Sequence, residues 1–135
     1  MTRRTALVAA VALACLAGVG YVALNWTKAS VDPGVDEGRT LIEAFLDDLR
    51  KGKAGVAWDG ASTEFKSIEG RESFVARVKA TPCFREQFTF SSTQRIKVNK
   101  DDRMEFAFVS SKSGKTVRVL LARERGAWKV DRLAL

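Results

Sequence analysis

Residues Thr5 to Trp26 form an uncharged, mostly apolar run of 22 residues directly behind Arg3 and Arg4. A helix needs about 20 such residues to cross the hydrocarbon core of a bilayer. The run therefore predicts a membrane anchor and leaves the rest of the chain as a separate body. Beyond the run the first charge is Lys28, soon followed by Asp32, Asp36 and Glu37. Cationic residues next to a span stay on the cytoplasmic side. This places the N-terminus inside and residues 28–135 outside. The competing reading is a secretory signal cleaved after Gly18-Val19-Gly20, which would release a secreted or periplasmic domain. The apolar stretch continues through Tyr21 to Trp26, however, and Tyr21 and Trp26 suit an interfacial belt. A retained single-pass anchor is the expectation.

Within this segment, Cys15 follows Ala12-Leu13-Ala14. A lipid-modified cysteine would follow a Leu-small-small triplet, so a membrane-buried thiol is the better reading. Ala10, Ala14 and Gly18 form a small-xxx-small face along which two such helices can approach, a route to self-association.

The segment Thr27–Gly38 holds Pro33 and two glycines and has little periodicity. Residues 28–37 therefore read as a linker and residues 38–135 as one modest domain. Residues 28–135 carry 21 Lys and Arg against 16 Asp and Glu, a net charge of +5. The charges are spread over every segment and form no stripe, which reads as a solvated surface. With no recognition motif and an exported address, nucleic acid is not an expected partner. Cys83 is the one cysteine outside the apolar run, so no disulfide forms within the domain, and there is no histidine.

Leu41, Ile42, Phe45, Leu46 and Leu49 make one broad apolar helix face from Asp36 onward, and Gly52 ends it. Ala54–Asp59 reads as a short second helix with Val56, Ala57 and Trp58 inward. Ser62–Lys66 reads as a turn holding Phe65, and a third helix runs from Arg71 to Lys79, stopping before Pro82. The period then switches to two. Phe88, Phe90, Ile96 and Val98 share one parity, as do Met104, Phe106 and Phe108, with Lys100-Asp101-Asp102 as the turn between. Val117, Val119 and Leu121 alternate with Arg118, Leu120 and Ala122 before Arg125-Gly126 turns into the last strand. The expected class is α+β: three helices packed on one face of a curved antiparallel sheet of about four strands.

This element order, with the Gly52-Lys53-Ala54-Gly55 break, Ala57-Trp58, Phe65 and the closing Gly126-Ala127-Trp128-Lys129-Val130-Asp131, resembles the cystatin-like cone. That is the architecture of the nuclear-transport-factor-two-like and SnoaL-like superfamily. The closing strand is similar to that of its bacterial, membrane-anchored, lumazine-binding-like members. The resemblance spans roughly Asp36 to Leu135. It implies a bacterial cytoplasmic membrane protein with an extracytoplasmic cone, in a superfamily that hosts enzymes, binders and scaffolds.

Enzymes of this superfamily place acid/base groups at the cone mouth, often Asp with His or Tyr. Here His is missing, and the one tyrosine, Tyr21, lies in the apolar run. Asp47 and Asp48 point about 100° apart on a helix and cannot share a proton. Gly114-Lys115-Thr116 lacks the upstream glycine of a phosphate loop, because Val109 stands there. No cofactor or metal set emerges, and the remaining catalytic candidates are isolated carboxylates such as Asp59 and Glu64. Trp58, Phe65, Phe74, Phe106, Phe108 and Trp128 either line an apolar pocket or fill the core, and for so small a domain filling is favoured. The leading expectation is a non-enzymatic envelope protein whose domain binds a protein partner, self-associates or assembles a complex. The alternative is a binder, or a lyase- or isomerase-like enzyme, for a small apolar ligand held in the cone.

Overall fold

The computed structural model describes residues 33–135. The apolar run Thr5–Trp26 and the first half of the expected linker lie outside the described residues, among which no helix is long and apolar enough to cross a membrane. Helix α1 spans Val35–Arg50 and buries Ile42, Phe45, Leu46 and Leu49. It begins inside the segment expected as linker, because Gly38 does not interrupt it. The Phe106 ring occupies the space a side chain would need there, since an added Cβ would lie 2.3 Å from Phe106 Cζ. Gly38 therefore serves close packing of helix on sheet. At the other end Gly52 takes φ +78, and the Lys53 and Gly52 amides donate to Asp48 O (2.7 Å) and Leu49 O (3.2 Å). This is a Schellman cap, which satisfies the last carbonyls.

Helices α2 (Ala54–Asp59), α3 (Thr63–Ile68) and α4 (Arg71–Ala80) follow, then a 3₁₀ turn over Pro82–Arg85. Four α-helices thus replace the expected three, because Ser62–Lys66 is not a simple turn. Ser62 Oγ caps α3 by accepting from the Phe65 amide at 3.1 Å. Six residues cannot hold a helix alone, and α3 persists by burying Phe65 beside Phe45 and Phe74. In α2, Ala57 is buried but Val56 is 56% exposed, so Val56 faces solvent and not the core.

Strands β1 (Phe88–Val98), β2 (Asp101–Ser110), β3 (Thr116–Glu124) and β4 (Ala127–Ala134) form one antiparallel sheet in chain order. The protein is therefore α+β, with four helices and a four-stranded antiparallel sheet. The first hairpin turns at Asn99-Lys100, both at positive φ (51 and 73). Asp101 and Asp102 open β2 instead of forming the turn.

Two irregularities alter the expected alternation. Phe90 pairs with Phe108 while Ser92 pairs with Ala107, so Ser91 is an extra residue. This bulge sends Ile96 and Val98 to the face opposite Phe88 and Phe90, although all four share one numerical parity. In β4, Val130 pairs with Leu121 and Arg132 with Leu120, leaving Asp131 as a second bulge. Between α1, α3, α4 and the inner sheet face the core closes around Phe74, Phe106, Phe108, Val117, Val119 and Leu121. Each such side chain contributes about 1.5–3 kcal/mol on burial.

Candidate functional site

The six aromatic residues singled out in the sequence occupy two situations. Phe65, Phe74, Phe106 and Phe108 are buried, at 5%, 0%, 0% and 0% exposure. Trp58 and Trp128 are half-buried and pack against that core from its rim. Phe65 meets Phe45 at 6.1 Å and Phe74 at 5.3 Å, edge-on in both cases, and Phe90 meets Phe108 edge-on at 5.6 Å. These separations are those of packed rings.

Where the sheet bulges at Asp131, polar groups from four elements converge. Asp131 is 1% exposed. It accepts from Ser62 Oγ at 2.7 Å and pairs with the Arg103 guanidinium. The Ser62 amide donates to Val130 O at 2.9 Å. Glu64 lies 3.5 Å from Arg132 and 3.8 Å from Arg103. Glu124 accepts from both the amide and the hydroxyl of Thr63, each at 2.8 Å. The Thr63 backbone and hydroxyl hydrogen bonds hold the Glu124 carboxyl below its ordinary range. A buried carboxylate is tolerated here because each oxygen has a partner. The arrangement can hold α3 against the sheet, and its groups are occupied with one another.

Several other carboxylates are engaged by neighbouring side chains. Asp59 bonds Arg71 at 3.0 Å on the surface, so the structure does not bring Asp59 and Glu64 to a common centre. Asp47 is held by Lys51 and Arg50, which lower its pKa, with Lys51 the larger influence. Glu86 is lowered chiefly by its hydrogen bond from Ser110. Burial pushes the Cys83 thiol up, as expected of a core cysteine.

Surface depressions lie among the described residues, two of them beside the sheet. One, of about 500 Å³, runs between α1 and the start of edge strand β1, bordered by Arg39, Glu43, Asp47, Glu86, Phe88 and Phe90. Arg39 lies over the Phe90 ring at 5.1 Å. The other, of about 420 Å³, lies over Leu120 among Ile96, Val98, Glu105, Arg118 and Arg132. There Glu105 accepts from Gln94 at 2.8 Å and from Arg118 at 3.2 Å, a polar lattice laid beside Leu120.

The Asp131 cluster was missed by sequence reasoning. One signal was available: the inward residues Trp128, Val130 and Leu133 break a strict period of two, which marks a bulge between the last two. Compared with known proteins, the chain matches no protein-family model, and no curated protein sequence matches it.

Proposed function

We propose that this chain is a single-pass envelope protein whose exported domain holds a protein partner through its surface and performs no reaction in its interior. The observation that supports this reading is the filled core. The rings of Phe45, Phe65 and Phe74 contact one another in the interior among the described residues. The resemblance to the cystatin-like cone supports the same layout of anchor plus domain. With these rings packed together, recognition falls to exterior features, and an edge strand beside a helix offers both main-chain and side-chain contacts.

The reading is tested by site-specific photo-crosslinking in cells from Thr89 beside α1, Gln94 on the outer sheet face and Val56 on α2. A discrete adduct with one protein from at least one site is expected, together with retained cellular function in an Asp59→Asn/Glu64→Gln double variant. Loss of function in that variant, with folding and crosslinks preserved, would instead favour chemistry on a small apolar ligand.

A further inference from the structure

Helices and sheet do not share the positive charge of the domain. Residues 33–87, which hold the helices, carry 9 Lys and Arg against 10 Asp and Glu. Residues 88–135, which hold the sheet, carry 11 against 5. Along the chain the sheet cations look scattered, but the meander sorts them. In an antiparallel sheet of order β1-β2-β3-β4 the first and third turns point the same way and the second points the other way. The first and third are Asn99-Lys100 and Arg125-Gly126, all at positive φ. Five exposed cations therefore gather at one end of the sheet: Arg95, Lys97 and Lys100 on the first hairpin, Arg123 and Arg125 on the last. The exposed carboxylates among them are Asp101 and Asp102. Glu124 and Asp131 are already engaged by Thr63, Ser62 and Arg103. Lys97, Lys100 and Arg125 form no salt bridge with another described residue. At the opposite end Lys112 stands near the Glu86 carboxylate and helps to lower its pKa.

Helix α1 is directed away from the basic end. Its Gly38 lies on Phe106, which pairs with Thr93 midway along the first hairpin. Its Arg50 borders the depression beside Glu86 and Gln87, just before β1 begins. The chain thus enters the domain from the side of the basic turns. Residues 27–32 separate the apolar run from Pro33, and a connection of that length reaches at most ~25 Å. Trp128, half-buried and paired with Arg123 across the last hairpin, adds a ring of the kind favoured at headgroup level.

We propose that this end of the sheet docks on anionic lipid headgroups, with Lys97, Lys100 and Arg125 as its principal contacts. The inference rests on the anchored reading above. Tethering keeps the lipid at high effective concentration, so a modest electrostatic attraction is enough to hold the domain down. The contact orients the domain and turns the depression at the start of β1 away from the lipid, toward partners.

The full-length chain in nanodiscs tests this, with a gadolinium chelate on a fraction of the headgroups broadening nearby amide signals. In discs containing phosphatidylglycerol, the amides of residues 97–101 and 124–127 should broaden severalfold more than those of 111–115. The contrast should vanish in discs of phosphatidylcholine alone, and at about 1 M salt, where charges are screened beyond ~3 Å. It should also vanish in Lys97→Glu/Lys100→Glu/Arg125→Glu and survive in Lys112→Glu/Lys115→Glu. The lipid and salt comparisons use the parent chain and do not depend on how the variants fold. Equal broadening at the two ends in anionic discs, or a contrast that persists on phosphatidylcholine, in high salt or in the triple variant, overturns the proposal and leaves the anchor standing. A chain that elutes apart from the discs on gel filtration overturns the anchored reading, and this proposal with it.

Discussion

Gly38 carries a constraint that its neighbours do not. Its helix crosses the sheet so closely that the Phe106 ring fills the place of a side chain. Gly38→Ala must therefore displace a ring that is itself fully buried, and overpacking of this kind costs about 1–3 kcal/mol. Gly34, where an added Cβ meets nothing within 4 Å, is the control, and Gly34→Ala should be neutral to slightly stabilising. Chemical denaturation of the two variants measures the difference. Equal midpoints would mean that α1 can shift to accommodate the methyl. At this scale the sequence was only half legible. Phe65, Phe74, Phe106 and Phe108 announced themselves as interior by size and period, yet Gly38 looked like a linker residue because its reason lies 68 positions away in Phe106. Asp131 likewise looked like an ordinary strand polar group, and only the bulge and the approach of Ser62 and Arg103 make it a buried junction.

Among the elements, α1, α4 and the four strands were legible because their apolar spacing is sustained over at least two turns or several alternations. Helix α3 was not, since six residues carry little period and its cap becomes recognisable only when Ser62 is seen bonding both Phe65 and Asp131. Face assignment in β1 failed for a different reason: one extra residue, Ser91, inverts everything after it, and strict parity cannot register an insertion. The attachment of α3 has a pH consequence with a definite sign. Thr63 lowers the Glu124 pKa in the folded protein below its ordinary 4.5. A depressed folded value means that the stabilisation is present above the unfolded value and is lost as pH falls through the folded one. Glu86, lowered by Ser110, acts in the same direction. Stability should therefore decline on acidification below about 4.5, and Glu124→Gln, which keeps an acceptor but cannot titrate, should flatten that decline. Urea midpoints across the acid range for both proteins decide the matter; parallel profiles would remove Glu124 from the account.

For the molecule as a whole, the proposed membrane address bears on what the domain can meet. A domain of net charge +5 held near anionic lipid encounters a different set of partners from one free in solution. The proposed tethering rests on the run Thr5–Trp26 and on the charge asymmetry around it, with Arg3 and Arg4 before and Lys28, Asp32, Asp36 and Glu37 after. The chain's own cysteines make this testable with little background, because Cys83 is buried and Cys15 lies within the apolar run. An Asp36→Cys variant, at an exposed position in the first turn of α1, should react with a membrane-impermeant maleimide in intact spheroplasts while the protein sediments with membranes. Arg3→Cys should react only after lysis. If Asp36→Cys also required lysis, the orientation would be reversed. If the labelled protein remained soluble and lacked its first 20 or so residues, the run would be a cleaved signal, and the domain would meet its partners by diffusion instead of at the membrane surface.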